Sequence, residues 1–256
     1  MNSTKPLILV VNDDGINAPG IIALITVAKE FGEVVVVAPD KPQSGMGHAI
    51  TLDSTLHIKT VNIEGVTAYS CSGTPVDCVK IAVNKLLDRK PDLIVSGINH
   101  GSNSSINVIY SGTMSAALEG SLEGIPSVGF SLLNHSVEAD FTSAKHYAKK
   151  IITQLLNNNY AKHLCLNVNI PNLSTELIAG IKICRQAKGN WEENYDERTD
   201  PMGRKYYWLT GKFVLEDNGT DTDEWALANN YVSVVPVQPD VTNYTLINDI
   251  KNLENE

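Results

Sequence analysis

LILVVNDDGI, residues 7–16, consists of five large apolar residues followed at once by a polar turn with two carboxylates. The unbroken apolar run predicts a strand that is buried on both faces, as in the centre of a parallel sheet. Asp13 and Asp14 would then lie at the carboxyl end of that strand, where open parallel sheets bind their ligands. Burying two adjacent carboxylates is costly unless a cation balances them, and hard divalent cations prefer oxygen ligands. The stretch therefore predicts a metal site.

The composition of the chain argues against several classes of protein. With 256 residues and 43% hydrophobic content, it can form one large α/β domain with a sizeable core. Its net charge of −9 disfavours nucleic acid as a partner. We expect no membrane partner, because no apolar segment reaches the roughly 20 residues that cross a bilayer, and no signal peptide is apparent. The four cysteines include no C-x-x-C pair, so we expect free, buried thiols and a cytoplasmic protein.

Strands and helices alternate along the first two thirds of the chain. The predicted strands are 7–11, 34–37, 93–95, 128–132 and 164–170, and the predicted helices are 19–31, 76–87, 112–123 and 139–156. Residues 51–69 alternate loosely, which predicts a half-exposed antiparallel excursion. This β-α-β rhythm predicts an α/β fold with a doubly wound, mostly parallel sheet.

Beyond Pro171 the pattern becomes irregular. The elements expected there are a strand or hairpin arm at 206–214, a short helix at 221–228, a strand at 231–237 and a short polar helix in the tail. We therefore interpret the chain as a single domain with a core, residues 1–170, and a C-terminal extension, residues 171–256, that serves assembly.

Polar loops follow the predicted strands, and in a doubly wound sheet such loops converge at one edge. Asp13 and Asp14 bring two charges, while Ser44 and Asn99 can each add a neutral oxygen. This mixed, weakly charged shell suits magnesium, manganese or calcium better than zinc. The alternative is that the two aspartates cap the following helix or form an Asx turn.

The segments SGINHGSN, residues 96–103, and YSGT, residues 110–113, predict an anion site. Glycines allow close backbone approach, and Ser, Thr and Asn side chains donate hydrogen bonds. Ser111 is expected at the N-cap of the next helix, whose free N–H groups would bind a phosphoryl group without a basic residue. A helix that is merely capped after a long loop is the alternative. The candidate phosphate-binding residues are Asn99, Gly101, Asn103, Ser111, Gly112 and Thr113.

Other polar and aromatic residues carry weaker functional interpretations. His48, in a glycine-containing loop, could shuttle a proton, although a solvated loop histidine is the commoner case. Asp77 is expected to cap its helix. Trp191, Trp208 and Trp225 are expected to serve packing or an interface. Neither the Asp-x-Asp of haloacid-dehalogenase phosphatases nor the G-x-G-x-x-G of dinucleotide folds follows the first strand.

Together, these motifs resemble the SurE family (survival protein E), whose members are metal-dependent nucleotidases. The matching segments lie in the first 135 residues, in the family's order: VNDDGINAPGI, APDKPQSG, SGTPVDCV, SGINHGSN, YSGTMSAALEG and GIPSVGFS. The resemblance places the family's four metal ligands on Asp13, Asp14, Ser44 and Asn99. It also implies a Rossmann-like core, a C-terminal extension that exchanges elements between subunits, and a homodimer or homotetramer.

The resemblance and the site residues lead to one expected activity. We expect a phosphomonoesterase that hydrolyses nucleoside 5′-monophosphates, and the family implies activity toward 3′-nucleotides and short polyphosphate. One divalent cation per subunit, Mg²⁺ or Mn²⁺ with Ca²⁺ an alternative in crystals, would polarise a phosphoryl oxygen and acidify water. Asp13 and Asp14 are the candidates to orient or deprotonate that water, which would attack in line without a covalent intermediate. The alternatives are a non-catalytic nucleotide sensor and a polyphosphatase that prefers long chains.

Overall fold

The computed structural model describes residues 5–158, 160–161 and 163–255. In this part of the chain the strands are β1 Leu7–Val11, β2 Glu33–Pro39, β3 Ile58–Ile63, β4 Val66–Cys71, β5 Leu93–His100, β6 Ser127–Leu132, β7 Cys165–Ile170, β8 Gly180–Ile183, β9 Gly189–Thr199, β10 Lys205–Leu215 and β11 Tyr231–Val237. The α-helices are α1 Pro19–Ala28, α2 Pro75–Ile81, α3 Gly112–Leu122, α4 Thr142–Asn157 and α5 Asp223–Ala228.

Nine strands form one sheet in the order β3-β4-β2-β1-β5-β6-β7-β11-β8. β1 lies in the interior of this sheet and pairs in parallel with both β2 and β5. The antiparallel pairs are β3 with β4 and β7 with β11. The predicted α/β fold with a mostly parallel sheet is confirmed, and so is the antiparallel excursion, which is the β3–β4 hairpin.

Helices cover both faces of the sheet, and β1 contributes side chains to the hydrophobic core on each face. Ile8 and Val10 join the core beneath α1 and α4, whereas Leu7, Leu9 and Val11 join the core beneath α2 and α3. Successive side chains of a strand point to opposite faces, so a strand covered on both sides must be apolar throughout. This constraint explains the five consecutive apolar residues with which the sheet begins.

One difference from the predicted elements lies in β5, which was expected to break at Ser96. Instead it continues to His100, with a shift in its pairing to β6 between Ser96 and Asn99. The peptide bond between Gly97 and Ile98 is cis, and Gly97 has a φ of +119°. A Cβ on Gly97 would lie 2.4 Å from the carbonyl oxygen of Phe130. The glycine therefore continues the strand through a conformation that residues with a side chain rarely adopt.

The helix predicted over 76–87 is also interrupted. α2 ends at Ile81, and the chain continues as a π-helical turn, Ala82–Leu86. α4 begins at Thr142, three residues later than predicted. Such shifts are ordinary at helix ends, where side-chain pattern gives little information.

The part of the chain beyond residue 170 contributes to the central sheet. β8 and β11 extend the sheet beyond β7, so the division proposed at residue 170 does not coincide with a sheet edge. The polar segment 190–205, in which no strand was predicted, provides β9, which pairs with β10 over eleven residue pairs. Nearly all residues of this hairpin are exposed.

The cysteines agree with the expectation of free, buried thiols. Cys71, Cys78, Cys165 and Cys184 are all free and buried. Among the helices of the described residues, none combines the length and apolar character that crossing a membrane requires.

Candidate active site

The turn after β1 is closed by Asn12, the residue before the two aspartates. Its Nδ2 donates to the carbonyl of Gly15 at 2.9 Å, and Gly15 adopts the left-handed φ of +98° that this turn requires. α1 begins after Ala18, which provides no side-chain cap. The alternative in which Asp13 and Asp14 cap this helix or form the turn is therefore wrong.

Asp13 is buried against the first turn of α3. Its Oδ1 accepts a hydrogen bond from the Thr113 hydroxyl. A Cβ added to Gly112 would lie only 2.6 Å from the Cβ of Asp13, so glycine is required there. Burial raises the pKa of Asp13 to about 6; the Thr113 bond opposes this rise, and the charge of Asp14 adds to it.

Asp14 faces the end of β5. Burial raises its pKa, and the imidazole and backbone N–H of His100 act against that rise. Its Oδ2 is buried without a hydrogen-bond partner in the described part of the chain, as are Asn12 Oδ1, Ser96 Oγ and His100 Nδ1. A further such atom, Ser233 Oγ, lies on β11. Because unpaired buried polar atoms are costly, the presence of three of them, on Asn12, Asp14 and His100, at the ends of β1 and β5 indicates that a polar ligand or ion belongs here.

The loop after β2 carries Ser44 along the same edge of the sheet. The N–H of Gln43 donates to the carbonyl of Asp13 at 2.7 Å, and the N–H of Gly47 donates to the carbonyl of Tyr110 at 3.2 Å. The loop therefore bridges the end of β1 and the residue before Ser111. Ser44 itself is exposed, so its hydroxyl is accessible to a ligand.

The end of β5 and the loop after it hold three more of the predicted residues. Asn99 donates through Nδ2 to the carbonyl of Gly101 at 3.0 Å, and its Oδ1 takes no part in that bond. A Cβ on Gly101 would lie 2.1 Å from the His135 ring, so this glycine packs against the loop after β6. Asn103 is buried, and its Nδ2 donates to Ser131 Oγ at 2.8 Å. Since Nδ2 carries two hydrogens, the second can serve a ligand.

Ser111 is the N-cap of α3, as the sequence predicts. Its Oγ accepts a hydrogen bond from the N–H of Met114 at 3.0 Å. The N–H groups of Gly112 and Thr113 belong to the first turn, where a helix offers them no internal partner. The positive end of the helix dipole adds to their attraction for an anion. This end of α3 can therefore bind an anion directly beside Asp13.

Two of the weaker candidates have structural partners. Asp77 forms a capping box with Thr74 at the start of α2, which confirms the predicted cap. His48 Nε2 lies 2.9 Å from Glu119 Oε2, and Lys80 contacts the same buried carboxylate. Although burial acts to raise it, these hydrogen bonds hold the pKa of Glu119 below its ordinary value. His48 is therefore tied to α3.

Sequence reasoning missed the buried network that fixes the loop of Asn103. The N–H of Asn103 donates to Asn169 Oδ1 at 2.7 Å, and Asn167 Nδ2 donates to the carbonyl of Asn103 at 2.7 Å. The two asparagines lie on β7 and are bonded to each other at 3.0 Å. A signal was present in LNVNI, residues 166–170, because amides in a buried strand are costly unless they are paired.

The donor set suits a hard divalent cation. Asp13 and Asp14 supply adjacent carboxylates whose pKa values are both raised, and a bound cation would oppose that rise. Ser44 and Asn99 can add neutral oxygens. Zinc sites typically contain three or more His, Cys, Asp or Glu ligands. Across residues 5–158, 160–161 and 163–255, no such group is placed to hold a metal.

Comparison with known proteins identifies the family. The family model described as survival protein SurE matches residues 8–193. The chain belongs to the SurE family. The matched range includes all nine predicted site residues and ends within β9.

Relatives match this SurE protein over almost its whole length. A Flavobacterium psychrophilum protein named 5′-nucleotidase SurE is 62% identical over 251 residues, which cover 97% of this chain and 98% of that protein. A Bacteroides fragilis protein with the same name is 47% identical and covers 99% of this chain and 100% of its own. The crystal structure of the SurE protein from Aquifex aeolicus gives a TM-score of 0.84 at 41% identity, with 97% of this chain and 100% of that chain covered.

The raised pKa of Asp13 predicts a pH dependence of stability in the metal-free protein. The protonated Asp13 carboxyl stabilises the folded state relative to the unfolded chain. This contribution is fully present below pH 3.8, the ordinary pKa, and is lost as the pH rises through about 6, the pKa in the folded state. The loss amounts to about 3 kcal/mol. Thermal unfolding in EDTA at pH 4 to 7 should show this decline, and Asp13→Asn should remove the part that Asp13 contributes and leave the part that Asp14 contributes. Mn²⁺ should restore stability near pH 7 in the wild type only, and equal restoration in the variant would remove Asp13 from the metal site.

Ser111→Ala tests whether α3 binds an anion or is merely capped. Loss of the cap should lower the free energy of unfolding by about 1 kcal/mol. It should also weaken binding of inorganic phosphate by about two- to tenfold, because the donors at the helix end lose their fixed geometry. Ser121→Ala, at the other end of α3, is the control and should leave phosphate affinity unchanged. Lower stability with unaltered phosphate affinity in Ser111→Ala would favour the merely capped helix.

Proposed function

We propose that this SurE protein is a 5′-nucleotidase, a metal-dependent phosphomonoesterase that converts nucleoside 5′-monophosphates to nucleoside and phosphate. The observation that carries the proposal is the close packing of the α3 N-terminus on Asp13 through Gly112. A phosphoryl group bound at that helix end would lie beside both carboxylates. The relatives named 5′-nucleotidase SurE support the same activity.

The proposed roles follow from the contacts of each residue. Asp13, Asp14, Ser44 and Asn99 would hold the cation, which when bound supplies positive charge to the phosphoryl oxygens and acidifies water. The N–H groups at the start of α3 would bind the other phosphoryl oxygens, together with the Ser111 hydroxyl and the Asn103 amide. The Thr113 hydroxyl is already committed to Asp13, so we assign phosphate binding to the Thr113 backbone N–H.

Asp14 is the better candidate to orient the attacking water. Asp13 Oδ1 is engaged by Thr113, whereas Asp14 Oδ2 has no partner among the described residues. Water would bond to phosphorus as the bond to the 5′ oxygen breaks, with one water proton passing to Asp14. The leaving 5′ oxygen would take a proton from solvent water, and Asp14 would then return its proton to the solvent. No side chain needs to form a covalent intermediate.

Phosphate release from a panel of substrates tests the proposal. The panel contains 5′-monophosphates, 3′-monophosphates and polyphosphates of several lengths, each in EDTA and then with Mg²⁺, Mn²⁺ or Ca²⁺. Release should depend on the metal and be greatest for 5′-monophosphates, with 3′-nucleotides and short polyphosphate hydrolysed less. Asp13→Asn should lower turnover by about two orders of magnitude or more, because it removes charge from the cation site. Nucleotide binding without release under every metal would favour a sensor, and preference for long chains would favour a polyphosphatase.

We also propose that the protein is a homodimer or homotetramer in the cytoplasm. A two-stranded hairpin is marginally stable alone, yet β9–β10 exposes Tyr207, Trp208 and Leu209 by 55%, 59% and 62%. The tail exposes further large apolar residues, among them Val241 and Tyr244. Exposed apolar surface of this kind is typical of contact sites between protein chains. The four buried free thiols suit the reducing cytoplasm.

Light scattering of the purified protein should give the mass of two or four chains. Trp208→Glu should shift the mass toward that of one chain, because it places a charge on the hairpin surface. Glu193→Gln, on the same hairpin, serves as the control and should leave the mass unchanged. A wild-type mass of one chain at micromolar concentration would contradict the proposal.

A further inference from the structure

Asp223 is distant in sequence from the strand ends, yet it is bonded to the loop that leads into the site. It is the first residue of α5 and is wholly buried. Its Oδ2 accepts the N–H of Ser105 at 2.9 Å, and its Oδ1 accepts the N–H of Ala187 at 2.9 Å. The N–H of Glu224 also donates to Oδ1 at 2.9 Å. Hydrogen bonds to a carboxylate are about twice as strong as neutral ones, so this side chain is a firm anchor.

The anchored residue, Ser105, has a strained backbone. Its φ of +51° is uncommon for a residue with a side chain, and such conformations persist only where the surroundings impose them. The Ser105 hydroxyl donates to the carbonyl of Ala187 at 3.0 Å, whose N–H is bonded to Asp223. The preceding hydroxyl, that of Ser104, donates to Glu224. Two consecutive residues of α5 therefore hold two consecutive residues of the loop.

This loop connects the two halves of the candidate phosphate site. Asn103 lies two residues before Ser105, and a 3₁₀ turn, Ser105–Tyr110, leads directly to the N-cap Ser111. On its other side the loop is bonded to the asparagines of β7. Movement of Ser105 would therefore displace both Asn103 and the entry to α3. Displacements of about 1 Å in such positions can lower activity by about a hundredfold.

We propose that Asp223 is a positioning residue for phosphate binding. It acts through Ser105 and holds the loop 102–105 so that Asn103 and the α3 N-terminus converge on one phosphoryl group. The kinetic consequence rests on the proposed function, whereas the anchoring of the loop does not. Nothing in the local sequence around Asp223 indicates this role, because its partners come from two other segments of the chain.

The kinetic test uses Asp223→Asn, which keeps the volume of the side chain. The amide nitrogen would face a backbone N–H, so at least one of the three bonds is lost. The KM for a 5′-monophosphate and the inhibition constant of inorganic phosphate should both rise by about ten- to a hundredfold. The kcat should fall by a smaller factor. Asp223→Glu, which restores the charge, should recover part of the phosphate affinity.

The matched control is Thr222→Ala. The Thr222 side chain caps α5 by accepting the N–H of Trp225 at 3.1 Å and donates to the carbonyl of Gly219 at 3.0 Å. Its removal should destabilise the same helix without altering a bond to the loop. Thr222→Ala should therefore lower the melting temperature and leave KM and phosphate inhibition unchanged. Equal rises of KM in Thr222→Ala and Asp223→Asn would overturn the proposal.

Hydrogen exchange provides a readout that is independent of catalysis. Amide exchange across residues 102–112 should be faster in Asp223→Asn than in the wild type, and unchanged in Thr222→Ala. If the wild type hydrolyses no nucleotide, the proposed function fails and exchange alone decides the role of Asp223. If Asp223→Asn does not fold, Asp223→Glu, whose longer side chain moves the carboxylate away from the N–H of Ser105, should speed exchange in the same segment. Unchanged exchange in whichever variant folds would overturn the proposal.

Discussion

Burial of the Asp13 carboxylate between the end of β1 and the first turn of α3 is the constraint on which the whole site depends. A carboxylate in that position is costly unless it is protonated, hydrogen-bonded or neutralised. The Thr113 hydroxyl supplies one bond, and the absence of a Cβ on Gly112 allows the helix to approach. In the proposed function a cation offsets the rest of this cost and lies beside the anion site of α3.

The same edge of the sheet requires an unusual number of buried polar bonds. Asn167 and Asn169 occupy positions in β7 where apolar side chains would pack more simply, and their side chains hold the Asn103 loop and bond to each other. Each such group must be paired, since an unpaired one costs about 1–3 kcal/mol. The buried polar network therefore fixes the shape of the Asn103 loop.

The C-terminal part of the chain, beyond residue 170, contributes both to the central sheet and to the loop of the candidate site. β11 and β8 extend the central sheet, and α5 places Asp223 and Glu224 against Ser105 and Ser104. The site thus draws on segments more than 100 residues apart in sequence. Its geometry depends on the completed fold and cannot be a property of the first strands and loops alone.

Local pattern was sufficient to predict the mostly parallel sheet and the alternation of its strands and helices, because buried strands and capped helices leave short-range signatures. Clustered polar loops also indicated candidate metal and phosphate residues, and those assignments stay predictions. The prediction failed where long-range packing prevails, as at Gly97, where the approach of Phe130 accompanies the continuation of β5. It assigned phosphate to the Thr113 amide and named no partner for the Thr113 hydroxyl, which donates to Asp13. The partners of Asp13, Asn103 and Ser105 come from distant segments, and hydrogen-bond partners so far apart are specified only when tertiary packing brings them together.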